Sequence, residues 1–201
     1  MLATPSKQPT ASPHMERKRA RVRQALQSSG VRLVAEHGLE KVSVEQILSA
    51  AGYSRRTFYG YFENKLQLLA SVMNPAFEEG ALFLEEALKQ DAEKLLAGTV
   101  DCYLKLWKNH RDALIAITAL SDPAIAPYIE SGHRKFGGTL QRVLRRAADA
   151  GVLRNNDANF SFKVISRTAV PLLKIYDTHP DGVRLYQESM LALLENSDLA
   201  N

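Results

Sequence analysis

Apolar residues recur along almost the whole chain with the three- to four-residue spacing of helices. In the first predicted helix, about Glu16 to His37, residues Val22, Leu26 and Leu33 share one face, and Gly38 stands where a left-handed C-terminal residue belongs. No segment shows the sustained alternation of apolar and polar residues that is typical of strands. The pattern therefore predicts an all-α protein.

Capping residues mark the limits of the next two helices. Ser43 begins one of them, and Gln46 three residues later completes a capping box, in which each side chain satisfies a free backbone amide. This helix should end near Ala51, because Gly52 permits a sharp turn there. Ser54 then has the position of an N-cap for a third helix. The three segments predict a helix-turn-helix unit.

Residues of the third helix divide into an inward and an outward set. Tyr53 and Phe58 occupy the two positions of a hydrophobic staple, which fixes how the chain enters the helix. Phe58 and Phe62, four residues apart, are predicted to point with Leu33 into a small core formed with the first two helices. Arg55 and its neighbour Arg56 are left outside, at the start of the helix.

The rest of the chain is predicted to be helical as well. Asn64 is the expected N-cap of a connecting helix that Pro75 breaks or kinks. Further helices are predicted at about Asp91 to Asn109, Arg111 to Leu120, Pro123 to Ala150, Asn159 to Asp177 and Asp181 to Leu194. The proline-containing start lacks an apolar signal-peptide core and is predicted to be disordered. We therefore divide the chain into a tail (1–14), a helix-turn-helix domain (15–63) and a helical body (64–201).

Charge is distributed unevenly between these parts. Residues 1–65 hold 11 Lys or Arg and 5 Asp or Glu, whereas residues 66–201 hold 15 and 17, so the net charges are +6 and −2. A basic N-terminal third on a mildly acidic body is expected when one module faces a polyanion. The asymmetry favours nucleic acid as a partner, although basic segments also bind membranes and acidic proteins.

The segment from about Arg23 to Leu66 resembles the DNA-binding domain of the TetR (tetracycline-repressor-like) family of bacterial regulators. The matching residues are Leu26, Leu33 to Gly38, Ser43, Ile47, Ala51, Gly52, Ser54, Thr57, Tyr59, Phe62 and Lys65. The chain departs from the family pattern at Ser29, Gly30, Leu48, Tyr53 and Tyr61. The resemblance implies a recognition helix in the DNA major groove, followed by a body that binds an effector and forms a dimer.

A set of side chains in this segment is assigned to DNA. Arg55 and Arg56 are the expected base readers, since one arginine can donate two hydrogen bonds to a guanine, and at least one of the two is expected to bind a phosphate instead. Ser43 and Lys65 stand at helix beginnings and are assigned to phosphates. The full set is Arg17, Lys18, Arg19, Ser43, Ser54, Arg55, Arg56, Thr57, Tyr59, Tyr61 and Lys65.

The body contains candidates for an effector pocket. Tyr103 and Trp107 lie four residues apart on one helical face. The predicted pocket residues are Phe83, Tyr103, Leu106, Trp107, Tyr128 and Phe136. Aromatic residues at helical spacing are also typical of an ordinary packed core, so both interpretations stay open.

The last two predicted helices are candidates for a dimer interface. The first of them is apolar on too many sides for one packed face, and the second carries a narrower apolar stripe. Two copies of this pair would form a two-fold four-helix interface. The predicted interface residues are Phe162, Ile165, Leu172, Leu173, Tyr176, Leu185, Met190 and Leu194. A central helix buried within one chain is the alternative.

Signatures of enzymes are missing from the sequence. It contains no phosphate-binding glycine loop, G-x-S-x-G elbow, H-E-x-x-H motif or cysteine pair, so we expect no catalysis, no cofactor and no metal. The single Cys102 suits a reducing cytoplasm. No apolar run approaches the roughly 18 to 20 residues of a membrane span, and we expect no membrane partner.

These observations and the resemblance together predict a cytoplasmic transcriptional regulator. We expect a homodimeric repressor that binds a pseudo-palindromic double-stranded DNA operator and is released by an unidentified small-molecule effector. The alternative is a TetR-like architectural or nucleoid-associated protein that acts through a protein partner. A map of DNA sites separates the two, because a regulator occupies few promoter sites and an architectural protein many dispersed ones.

Overall fold

The computed structural model describes residues 12–119 and 123–196. Within them eight α-helices follow one another: α1 (Pro13–His37), α2 (Val44–Ala51), α3 (Arg55–Tyr59), α4 (Lys65–Ala87), α5 (Leu95–Ala119), α6 (Ala126–Asp149), α7 (Ala158–Tyr176) and α8 (Gly182–Leu194). Short 3₁₀ turns lie at Leu39–Lys41, Ala92–Lys94 and Pro123–Ile125. The only strand-like pairing among the described residues is an isolated bridge between Leu153 and Glu195. The predicted all-α fold is confirmed.

The predicted caps set the limits of α2 and α3. The Ser43 hydroxyl accepts a hydrogen bond from the Gln46 amide at 3.2 Å, and the Gln46 side chain accepts one from the Ser43 amide at 2.7 Å. Gly52 ends α2 in the left-handed region, with φ 73° and ψ 33°. Ser54 accepts from the Thr57 amide at 3.2 Å and begins α3. Local sequence therefore fixes the turn between the two helices.

The first helix begins earlier than predicted. Ser12 is its N-cap and Pro13 its first residue, a position that suits proline because the missing amide would have no partner there. Residues 12–14, predicted as part of the disordered tail, therefore form the cap and first residues of α1. The remainder of that predicted tail, residues 1–11, lies outside the described residues.

Helices α1 to α3 and the first half of α4 enclose an apolar core, which we call the first core. Its centre consists of the fully buried or nearly fully buried side chains of Leu26, Ile47, Phe58, Phe62 and Leu68. Leu33, also predicted for this core, is only half-buried. Phe62 follows the end of α3 rather than lying within it, and its amide donates to the Phe58 carbonyl at 2.9 Å.

A glycine lets α1 and α4 approach closely. A Cβ atom at Gly30 would lie 2.7 Å from a terminal methyl group of Leu68, closer than packed carbon atoms allow. The cost of about 1 kcal/mol for glycine within a helix is therefore offset by the packing that this bare face admits. The close neighbour is a side chain of α4, which connects the helix-turn-helix unit to the body.

The second half of α4 and helices α5 to α8 enclose the second core, centred on Leu95, Leu96, Val143, Leu144, Ile165 and Tyr186. Helix α4 continues through Pro75, so the predicted break is not present. A break does occur in α5, where His110 has φ −137° and ψ 37°. This is the residue that separates the two helices predicted in this region.

The two cores are joined by α4 without an intervening linker. Phe77 of α4, Ala116 of α5 and Ile125 before α6 all belong to the first core, although they lie beyond residue 63. Helix α1 also packs directly on α5. The helix-turn-helix unit is therefore built onto the body. None of the described helices is long and apolar enough to span a membrane.

Candidate nucleic-acid interface

A buried ring on the inner face of α3 anchors the helix, and the outer face carries exposed side chains. Phe58 is fully buried, whereas Tyr59 is 56% exposed and meets the Phe58 ring edge-on at 5.4 Å between ring centroids. The hydroxyl groups of Ser54 and Thr57 lie 3.0 Å apart and hydrogen-bond to each other at the start of the helix. A rigid first turn therefore carries the exposed side chains.

The two arginines of this turn have different surroundings. Arg55 forms an ion pair with Glu45 on α2. The side chain of Arg56 is exposed and makes no hydrogen bond or ion pair with any other residue of the described chain. The sequence did not show which of the two arginines reads a base and which binds phosphate. In the structure, only the guanidinium of Arg56 is unpaired and available to an incoming acceptor.

Basic side chains on α1 extend the same cationic region. Arg17, Lys18, Arg19 and Arg21 are exposed, and none of them forms an ion pair within residues 12–119 and 123–196. The guanidinium carbon of Arg23, one helical turn further on, lies 5.5 Å from the centre of the Phe62 ring. The basic half of α1 is therefore anchored beside the end of α3.

Lys65 has a role within the protein that the sequence did not reveal. Its amine donates hydrogen bonds to the carbonyl groups of Leu39 and Val42, each at 2.8 Å. These contacts tie the turn before α2 to the first residue of α4. The side chain is thus engaged internally, and the contact with phosphate assigned to it stays a prediction.

Two more residues assigned to DNA are also partly engaged. Tyr61 is half-buried, with its ring centroid 6.4 Å from that of Phe62. The hydroxyl of Ser43, although exposed, already serves the capping box of α2. Among the residues assigned to DNA, the exposed and unpaired cations are Arg17, Lys18, Arg19 and Arg56.

A cavity of about 200 Å³ lies between α4, α5, α6 and α7. It brings together three of the six residues predicted for a pocket, Tyr103, Leu106 and Phe136. The sequence missed several other lining residues, including Phe77 and Leu140. The lining comes from four separate helices, and periodicity within one helix does not show which faces meet.

The other three predicted pocket residues lie elsewhere, which corrects their grouping with the cavity. Phe83 packs beneath Lys105, whose amine lies 5.2 Å from the ring centre. Tyr128 lies at the start of α6 and accepts a hydrogen bond from Asn64 at 2.9 Å. Trp107, one turn along α5 from Tyr103, is displaced by about 6 Å along the helix and reaches the corner between α7 and α8 instead.

Trp107 is part of a small polar cluster at that corner. Its indole donates to the Asp177 carboxylate at 2.6 Å, and Arg111 donates to the other carboxylate oxygen at 2.7 Å. The hydrogen bond from Trp107, followed by that from Arg111, holds the pKa of Asp177 below its usual value. The cluster joins α5 to the end of α7. Within residues 12–119 and 123–196, no group of three His, Cys, Asp or Glu side chains is placed to hold a metal ion.

The apolar residues of α7 and α8 divide between the interior and the surface. Four of those predicted at a dimer interface, Ile165, Leu173, Met190 and Leu194, are at most 3% exposed within the single chain. Their assignment to a contact with another copy is therefore corrected, because they already fill the second core. Phe162 lines the cavity, and Leu172, Tyr176 and Leu185 are half-buried. The exposed apolar residues of these helices are Phe160, Ile175, Val183 and Leu193, between 44% and 66% exposed.

Comparison with known proteins identifies the N-terminal unit. The family model of the tetR-family bacterial regulatory proteins matches residues 27–72, which run from α1 into α4. No curated protein is significantly similar to the chain.

Solved structures share the fold of most of the chain. The ketosteroid transcriptional regulator KstR2 of Mycobacterium tuberculosis is 17% identical with a TM-score of 0.68, and the match covers 86% of this chain and 94% of KstR2. The regulator FadR of Bacillus subtilis, solved with stearoyl-CoA, is 22% identical with a TM-score of 0.61, covering 85% and 96%. A tetR-family regulatory protein of Rhodococcus RHA1 is 16% identical with a TM-score of 0.67, covering 87% and 97%. These likenesses extend over both cores.

Proposed function

We propose that the chain is a DNA-binding transcriptional regulator of the TetR family, because the family model of these bacterial regulatory proteins matches residues 27–72. It acts in the cytoplasm as a homodimer and represses transcription from a pseudo-palindromic operator. A small molecule bound in the body releases it. The family supports regulation by DNA binding, and the KstR2 and FadR folds support a body of the same kind.

One observation carries the proposal: the first turn of α3 presents an unpaired arginine on a rigid support, beside the basic half of α1. A recognition helix reads base edges with the side chains of its N-terminal residues. Arg56 is free to donate two hydrogen bonds to a guanine, and the exposed cations of α1 are suited to nearby phosphates. We assign Arg56 to a base and the α1 cations to the DNA backbone.

Release by a ligand is proposed to act through α4. This helix begins at Lys65, directly after the recognition unit, and its residues Ala76 and Phe77 line the cavity. A ligand that moves α4 would displace α3, because both pack into the first core. Two recognition helices in a dimer would then lose their match to half-sites about 34 to 36 Å apart.

Selection of bound fragments from a random pool of double-stranded DNA tests the proposed function. We expect a pseudo-palindrome whose half-sites lie about 10 base pairs apart, bound by two copies of the chain. Footprinting and mass measurement of the complex would check the site and the stoichiometry. Enrichment of no common sequence would contradict the proposal and favour an architectural protein.

A hydrogen bond between the recognition unit and the body provides a further prediction. The Asn64 side chain, which caps α4, donates to the Tyr128 hydroxyl on α6 at 2.9 Å. We expect Tyr128→Phe to weaken binding to the selected operator by about two- to tenfold, because one hydrogen bond that orients the unit is lost. Fluorescence anisotropy with labelled operator measures the change.

Tyr186→Phe is the matched control for this variant. Its hydroxyl is buried within the body and makes no hydrogen bond with the described residues, so the change removes an oxygen from the second core and no contact with the recognition unit. Operator affinity should be unchanged in this control. Equal losses in both variants would show that the bond to Tyr128 does not orient the recognition unit.

A further inference from the structure

The cavity enclosed by α4, α5, α6 and α7 is lined mainly by apolar residues. None of the described side chains around it is Lys, Arg, Asp or Glu. Aromatic and aliphatic residues such as Phe77, Phe136 and Leu140 form most of its wall. A ligand that placed a full charge deep in the cavity, away from His133 at its solvent side, would lose its hydration without meeting an opposite charge, which is far more costly than burying a neutral group.

The polar side chains of the lining differ in position. Thr118, His133 and Ser166 are exposed and therefore mark the side of the cavity nearest to solvent. The Thr118 hydroxyl donates to backbone carbonyls of its own helix, the nearer at 2.9 Å. The Ser166 hydroxyl likewise donates to the Phe162 carbonyl at 2.7 Å. The hydroxyl protons of Thr118 and Ser166 are thus already used, and the ring of His133 packs edge-on against Phe77, with 5.4 Å between ring centroids.

Tyr103 is the polar side chain of the interior. It is only 6% exposed, and its hydroxyl makes no hydrogen bond with any residue in the described part of the chain. Burial raises the pKa of this hydroxyl, so it stays neutral and keeps its proton. The hydroxyl oxygen is not fully shielded, unlike the buried and unpartnered hydroxyl of Tyr186, so it retains accessible surface at which a ligand can hydrogen-bond.

The size of the cavity limits the ligand further. An apolar cavity of about 150 Å³ is enough to hold benzene. The volume of about 200 Å³ here therefore accommodates one ring with a short substituent. A large head group such as a coenzyme does not fit within this volume.

We propose that the effector is a small neutral molecule with the bulk of one substituted ring, whose single polar group hydrogen-bonds to the Tyr103 hydroxyl. Its apolar part packs between Phe77, Phe136 and Phe162. The role of effector rests on the proposed function, whereas binding in the cavity does not. The remaining steps therefore test binding to the full chain alone.

Three probes of similar shape separate the parts of the inference: 4-ethylphenol, ethylbenzene and 4-ethylbenzoate. In calorimetric titrations of the full chain, we expect the phenol and the hydrocarbon to bind and the carboxylate not to bind. Tyr103→Phe should weaken 4-ethylphenol by about tenfold, the loss expected for one buried hydrogen bond, and leave ethylbenzene unchanged.

Two neighbouring glycines of α6 provide a matched pair of variants for the location. Gly137 lines the cavity, and a Cβ there would lie 3.8 Å from Phe162, an ordinary contact. Gly138 is exposed, and a Cβ there would meet nothing within 4 Å. We expect Gly137→Leu to abolish binding of both neutral probes and Gly138→Leu to retain it.

Several results would overturn the inference. One is tighter binding of 4-ethylbenzoate than of 4-ethylphenol. Another is binding of the neutral probes to Gly137→Leu with the same affinity as to the unaltered chain. The third is that none of the probes binds. If Gly137→Leu does not fold, the affinities of 4-ethylphenol and ethylbenzene for Tyr103→Phe still test the inference. If the probes bind but no operator is found by selection, the proposed function is contradicted and the inference about the cavity is not. If an operator is found and the protein is released from it by a charged compound, while none of the probes binds, the proposed ligand class is contradicted and the proposed function is not.

Discussion

Replacing Arg56 with alanine should reduce the free energy of operator binding by about 1 to 3 kcal/mol and relax the preference at one base pair. The guanidinium is exposed and unpaired among the described residues, so the substitution removes no interaction within the free protein. The measured loss therefore reports the contact with DNA. Binding curves on the selected operator, and on variants of it changed at single positions, would measure both effects.

Arg55→Ala is the matched comparison, one residue away on the same turn. Arg55 is paired with Glu45, so a contact between Arg55 and DNA requires that this surface ion pair be broken or shared. Such pairs contribute about 0 to 1 kcal/mol, which reduces the net gain from any DNA contact. We expect a smaller loss than for Arg56→Ala. Equal or reversed losses would contradict the division between the two arginines.

Replacing Phe58 with alanine should lower the free energy of unfolding by about 3 to 5 kcal/mol, the usual cost of removing a fully buried ring. Phe58 is 0% exposed and packs against Phe62 with 5.8 Å between ring centroids. The variant leaves a cavity beneath α3, so operator binding should be lost along with stability. Urea denaturation followed by circular dichroism would measure the change.

Tyr59→Ala controls for the loss of an aromatic residue from the same helix. Its ring is 56% exposed, and substitutions at exposed positions usually change stability by less than about 0.5 kcal/mol. We expect nearly unchanged unfolding with weaker operator binding. A loss below about 1 kcal/mol in Phe58→Ala would mean that α3 is not anchored by this ring.

Local interactions made the recognition unit predictable from sequence. The capping box of Ser43 and Gln46, the left-handed Gly52 and the Ser54 cap each involve residues within a few positions of one another. Contacts across longer separations were not predicted. Arg55 pairs with Glu45 ten residues away, and Lys65 reaches Leu39 across 26 residues. Such contacts depend on how helices pack, which the spacing of apolar residues does not specify.

The sequence predicted where the helices of the body lie but not which face of each helix is buried. The break at His110 and the limits of α6 to α8 lie close to the predicted positions. Which side of each helix lies inward depends on packing among four or five helices. Thus Tyr103 lines the cavity while Trp107, four residues later, joins a polar cluster with Asp177. Met190 and Leu194 likewise fill the second core instead of an outer surface.

The continuity of α4 has a thermodynamic consequence. Phe77 belongs to the first core and also lines the cavity, so the recognition unit and the ligand site share a side chain. The two parts should therefore melt in one cooperative transition, and a ligand bound only in the body should raise the melting temperature of both. The thermal stability of the DNA-binding end is thus expected to depend on a molecule bound in the neighbouring body.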